Sequence, residues 1–214
     1  ENKMNKKVIS ALLCGAMVLG AATPVMAEGA GDGQKIALVG KSAGNAFFEI
    51  AAASFKETVE AEGGTVEVVY PETATADAQI PLIQSLISQE VDAIAIASND
   101  VNALTACLQD AMDEGIKVLS LDSNVVPEAR QTFVNQAGVT EIGQALADAV
   151  YDISGGSGEF AILSASSQSA NQNSWIDAMK AVMEDDKYKD LDLVEVAYGD
   201  DEPQKSTDQT QALL

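Results

Sequence analysis

Short runs of β-branched and aliphatic residues alternate with segments of helical period along most of this chain, and that alternation leaves few folds open. Strands are expected at residues 35–40, 65–70, 92–97, 117–121 and 131–134. Helical stripes separate them. The first carries Phe48, Ala51, Ala52, Phe55 and Val59 on one face and stops at Gly63-Gly64. The second, residues 75–89, turns Ile80, Ile83 and Ile87 inward, and Pro81 inside it predicts a kink or a late start. The third, residues 102–114, buries Leu104, Cys107, Leu108, Ala111 and Met112. The pattern then restarts. Residues 140–153 read as a helix, 160–163 as a strand, 173–184 as a helix, 191–197 as a strand, and a last helix begins at 207. Regular strand–helix alternation predicts an α/β fold, each unit a parallel sheet flanked by helices on both faces.

The division that follows is a linker at 28–34, a first unit at 35–135, a hinge at 136–139 and a second unit at 140–214. The second unit has two clear strands, too few to complete a doubly wound sheet, so the chain is expected to be a fragment lacking its C-terminal part. Such a fragment, with unpaired sheet edges, is expected to be marginal on its own.

Residues 1–27 follow a different rule. Lys6 and Lys7 precede an apolar run at 8–19, and Val25-Met26-Ala27 is a small-residue cleavage site. Positive, apolar, small is the order of a secretory signal peptide. The run falls short of the roughly 20 residues that span a membrane. Export to the periplasm or the outer face of the cytoplasmic membrane is expected, with translation starting at Met4. Cys14 follows Leu12 and Leu13, where a lipidation site would carry small residues, so it is not expected to be lipidated. Cys107 is then the one cysteine left after cleavage, on an apolar helix stripe, and reads as buried filler.

Charge and composition narrow the chemistry. Against 33 Asp and Glu stand 12 Lys and Arg, a net charge of −21. That surface repels nucleic acid, whose binding relies on basic side chains. No histidine is present, which removes His-based triads and most zinc sites. The turn after the first strand, Gly40-Lys41-Ser42-Ala43-Gly44, lacks the dinucleotide-binding glycine spacing, and neither a phosphate loop nor a nucleophile elbow occurs. No enzyme, metal or cofactor is expected.

In open α/β sheets ligands bind beyond the carboxyl ends of the strands, so the residues after each strand are the candidates. They are Lys41, Phe47 and Phe48 after the first strand, Asn99 and Asp100 after the third, Asp122 after the fourth, and Asn171, Gln172 and Trp175 in the second unit. Gly199-Asp200-Asp201 follows the last strand. Carboxylates and amides that bond hydroxyls, beside flat rings, suit a sugar. Each has an ordinary reading too. Lys41 alone is a solvated loop lysine, Asp100 caps the helix that follows, Asp122 makes a turn, Asn171 caps a helix starting near 173, and the aromatic residues pack a core. Only their convergence at one sheet edge favours binding.

Those loops resemble the type I periplasmic sugar-binding proteins of ABC transporters, above all the rhamnose-binding branch and its relatives that bind autoinducer-2. The segments that carry the resemblance are Gly40-Lys41-Ser42-Ala43-Gly44-Asn45-Ala46-Phe47-Phe48, Ser98-Asn99-Asp100, Leu121-Asp122-Ser123 with Pro127-Glu128-Ala129-Arg130, and Asn171-Gln172-Asn173-Ser174-Trp175-Ile176. The resemblance implies two lobes that close on one monosaccharide, delivery to membrane permease subunits, and a monomer at full length. In the autoinducer branch a lysine, an aspartate and an Asp-Gln pair hold the ligand, positions that correspond to Lys41, Asp122 and Asn171-Gln172. Asn171 departs from that pattern and points to rhamnose or a similar deoxyhexose, with autoinducer-2 as the alternative.

Overall fold

Two parallel sheets organise the computed structural model, which describes residues 29–214. The signal peptide and cleavage site expected from the sequence, and Cys14, lie outside the described residues. The first sheet joins β1 (Lys35–Val39), β2 (Thr65–Val69), β3 (Ala93–Ile96), β4 (Lys117–Leu121) and β5 (Thr132–Val134) in the order β2-β1-β3-β4-β5, every pair parallel. The helices between them are α1 (Ala46–Ala61), α2 (Ala76–Ser88) and α3 (Thr105–Asp113). The second sheet pairs β6 (Gly158–Ser164) with β7 (Leu191–Tyr198), also parallel, and α4 (Val139–Ser154), α5 (Ala170–Val182) and α6 (Pro203–Leu213) accompany it. The expected α/β class holds.

Strand alternation builds a core on each face of the larger sheet. Ala37, Val39, Ile94, Ile96 and Val118 turn to one side and pack with Ile83 and Leu86 of α2, Leu108 of α3 and Leu104 just before it. Leu38 and Ala95 turn to the other and meet Ala52 and Phe55 of α1. Burying a side chain such as Ile83, fully enclosed here, is worth about 1.5–3 kcal/mol. In the smaller unit Ala147, Met179, Tyr188 and Leu191 form the centre, and α4 crosses α5 closely where Gly143 meets Ala178.

Several helix starts differ from expectation, each for a local reason. The third helix begins at Thr105, not 102, because the Asp100 carboxylate accepts from Asn102 N and Ala103 N and holds those residues in a preceding turn. The helix expected from 173 begins at Ala170, with Ser169 extended at its N-cap, so Asn171 lies inside the first turn rather than capping it. The last helix begins at Pro203, whose fixed φ suits a first helical position. Val139, assigned from sequence to the hinge, opens α4 after an extended Gly138. Pro81 neither ends nor delays α2, which starts at Ala76 behind the Thr75 cap and runs through it. No described helix is long and apolar enough to cross a membrane.

Candidate functional site

The strand order 2-1-3-4-5 reverses direction between β1 and β3, and a crevice opens at such a switch point beyond the carboxyl ends of the strands. Lys41 is the second residue past β1. It is 4 % exposed, and its Nζ donates to Asn171 Oδ1 at 2.8 Å and to Ser169 Oγ at 3.2 Å, both at the start of α5. Asp122 directly follows β4. Its φ of 57° lies in the left-handed region, and Ser123 N bonds back to Leu121 O to close a tight turn around it. One carboxylate oxygen accepts from Asn171 Nδ2 at 3.1 Å, the other from Gln136 Nε2 at 2.8 Å. Lys41 Nζ stands 3.9 Å from Asp122 Oδ2. Lys41, Asp122 and Asn171 thus form a triangle, hydrogen-bonded along its two Asn171 sides, that joins the larger sheet to the smaller unit.

Burial controls the ionisation of the two charged members. It lowers the pKa of Lys41, against the opposing pull of the Asp122 and then Asp201 carboxylates. It raises that of Asp122, against Lys41 and the bonds from Gln136 and Asn171. Both shifts point to the neutral forms, so desolvation outweighs the mutual attraction of a pair that stands 3.9 Å apart without a direct hydrogen bond.

The triangle borders a cavity of about 220 Å³, lined also by Asn45, Phe47, Phe48, Gln136, Gln172, Trp175 and Asp201. Phe47 is 52 % exposed and meets the buried Phe48 edge to face, ring centres 5.1 Å apart, so one ring anchors the other at the cavity mouth. Gln172 is fixed by its Oε1, which accepts from Ser164 Oγ and Ala165 N, both at 2.7 Å. A second cavity of about 240 Å³ adjoins the first across Asp122, Asn171 and Trp175, and its other walls include Val101, Phe133 and Val139. Three larger depressions, about 590, 540 and 370 Å³, lie between α4 and α5, at the amino ends of β3 and β4, and at the amino ends of β1 and β2, away from the switch point.

Sequence reasoning nominated nine residues. The structure brings Lys41, Phe47, Phe48, Asp122, Asn171, Gln172 and Trp175 to the one cavity. It sets Asn99 and Asp100 behind it. Asn99 is 2 % exposed and bonds backbone, and Asp100 caps the turn before α3. Gln136, Asn45 and Asp201 line the cavity without having been nominated. The loop bearing Asp201 was noted, but nothing in its sequence shows that Asp200 and Asp201 both take positive φ, 53° and 58°, which turns the chain towards Lys41. Ser42 Oγ and Ser123 Oγ, neighbours of Lys41 and Asp122, are buried without a hydrogen-bond partner among the described residues.

A donor ammonium, two carboxylates, four side-chain amides and three aromatic rings around about 220 Å³ suit a small polyhydroxylated molecule. The lining holds carboxylates and amides but no hydroxyl or thiol nucleophile beside a base.

Comparison with known proteins agrees with this geometry. The family model for the periplasmic binding protein domain matches residues 36–214. A solved ABC transporter solute binding protein from Clostridium phytofermentas, with bound L-rhamnose, is 52% identical, with a TM-score of 0.83 over 85% of this chain and 56% of that one. LsrB from Clostridium saccharobutylicum, in complex with AI-2, is 25% identical, with a TM-score of 0.77 over 84% of this chain and 58% of that one. A D-ribose/D-allose-binding protein of Pseudomonas aeruginosa is 34% identical over 160 residues, 66% of this chain and 50% of its own length. The chain therefore spans about half the length of the relatives it matches.

Proposed function

The chain belongs to the periplasmic binding protein family, and on that premise we propose that it is the exported, non-catalytic sugar-binding component of an ABC importer, taking L-rhamnose or a similar deoxyhexose between two lobes. One observation carries the reading. Lys41 and Asp122, from the ends of β1 and β4, are bridged by hydrogen bonds to Asn171 of α5 at the edge of a monosaccharide-sized cavity. A sugar hydroxyl both donates and accepts, so it can replace each bond of that triangle with one of its own. Trp175 and Phe47 line the cavity, and an aromatic ring suits the C–H side of a pyranose. The apolar walls of the adjoining cavity favour a ligand with one less polar edge, which the methyl group of a 6-deoxy sugar supplies. Asn171, neutral where the autoinducer branch has a carboxylate, supports rhamnose over autoinducer-2.

Residues 136–138, between β5 and α4, are the hinge in this reading. Loaded protein would dock on permease subunits in the membrane. A thermal-shift panel of L-rhamnose, other deoxyhexoses, pentoses and autoinducer-2 tests the assignment. Ligand at 100 times its Kd is expected to add about 2.7 kcal/mol of stability. A shift with autoinducer-2 alone would replace the deoxyhexose, and no shift with any of them would remove the sugar-binding role.

A further inference from the structure

The inner stripe of α2 is apolar except for Gln79, which is fully buried next to Ala76, Ile80 and Ile83. Its side chain reaches the switch point between β1 and β3. Nε2 donates to Ala97 O at 2.8 Å and Gly40 O at 3.0 Å, the carbonyls just past the ends of β3 and β1. Oε1 accepts from Asn99 N at 2.9 Å. Asn99 continues the chain of bonds, donating Nδ2 to Lys41 O at 2.9 Å. The amide orientation follows from its partners, because two carbonyls need a donor and an N–H needs an acceptor.

The location explains the need. The last ladder bond between these strands is Ala97 N to Val39 O at 2.9 Å. Beyond it the two segments part, one to α1 and the other to α3, and their backbone groups lose sheet partners while still buried. Gln79 and Asn99 supply those partners for two further residues on each side, and Lys41 is the last residue so held.

We propose that Gln79 and Asn99 are positioning residues for ligand binding, a buried amide pair that fixes the Gly40–Lys41 backbone against the end of β3 and thereby aims Lys41 at Asn171 and Asp122. The proposal rests on the reading of this cleft as the monosaccharide site. A leucine or methionine would fill the same volume in α2 but would leave the carbonyls of Gly40 and Ala97 and the N–H of Asn99 unpaired.

Calorimetric titration of L-rhamnose into the parent, Gln79→Glu and Gln79→Met over a pH series is the test, with circular dichroism to confirm folding. A glutamate at this position donates to a carbonyl only when protonated; ionised, it sets an oxygen anion against two carbonyl oxygens. The ratio of Gln79→Glu affinity to parental affinity is therefore expected to approach one in acid and to fall by about 10-fold or more as pH rises. Titration of Lys41 and Asp122 is common to both proteins and cancels in the ratio. Gln79→Met is expected to fold and to lose about 10-fold in affinity with no such pH trend. Parental affinity in folded Gln79→Met, or in Gln79→Glu at a pH where that buried glutamate is shown to be ionised, would overturn the proposal. A parent that binds none of the panel sugars would instead remove the sugar-binding reading, and this inference with it.

Discussion

Asp122 combines three properties that seldom serve stability alone: a left-handed backbone, a largely buried carboxylate and bonds to both Gln136 and Asn171. Charge-assisted bonds to sugar hydroxyls are worth roughly 1.5–3 kcal/mol. Asp122→Ala is expected to weaken L-rhamnose binding about 10- to 100-fold by calorimetry, with the far-ultraviolet circular dichroism unchanged. Because burial raises the Asp122 pKa, the carboxylate is lost on acidification at a higher pH than an exposed aspartate would be. Affinity is expected to be flat near neutrality and to decline from that point downward, and Asp122→Asn is expected to abolish the acid limb along with most of the affinity. Asn171→Asp places a second carboxylate where Asn171 Nδ2 now donates to Asp122, 3.1 Å away, and should weaken deoxyhexose binding; a variant that binds L-rhamnose as tightly as the parent would contradict the role of that amide. Lys41, Asp122 and Asn171-Gln172 were legible as candidates because polar residues after buried strands stand out. Gln79 was not, although the signal was there: a polar residue at the i+3 position of an inward stripe, between Ala76 and Ile83. Asp201 needed a left-handed turn that its sequence does not announce.

Strand positions were readable to within two residues because buried parallel strands are short, continuous and apolar. Helix starts were read to within one residue at Ala76 and Val139 but missed by three or four residues elsewhere, where side-chain caps and prolines set them, as at Asp100 and Pro203. The crossing of α4 and α5 was invisible in sequence, though it orients the Asn171-Gln172 turn. A Cβ on Gly143 would lie 2.6 Å from the Ala178 backbone, and backbone cannot move aside as a flexible side chain can. Gly143→Val is expected to cost about 1–3 kcal/mol in chemical denaturation; an unchanged midpoint would show that the helices separate freely. A second tie joins α4 to the turn before β7, where Asp148 accepts from Lys187, Gln144 by way of its amide, and Tyr188 at 2.8 Å. The Lys187 bond, followed by those from Gln144 and Tyr188, lowers the Asp148 pKa from 3.8 to about 2. A depressed carboxylate contributes stability that is fully present above its unfolded pKa and is lost as pH falls through the folded one. Denaturation midpoints should therefore drop between about pH 4 and 2, and Lys187→Met should flatten that drop. An identical acid slope in the variant would mean that the pairing adds nothing at this exposed site.

Across the whole molecule, strand–helix alternation predicted two parallel sheets, and the structure contains a five-stranded one and a two-stranded one. What alternation cannot supply is their approach, because Lys41 meets Asn171 across 130 residues of sequence. That contact depends on loop conformation at both ends, on the Asp122 turn and on the first turn of α5, none of which has a periodic signature. In the proposed function these ends hold one monosaccharide between them. A calorimetric titration of the purified protein with L-rhamnose tests this most directly, run beside Asp122→Ala and Gln172→Ala, one substitution from each unit. One bound sugar per chain and a marked loss of affinity in both variants are expected. Undiminished affinity in either variant, or no heat of binding in the parent, would contradict that function.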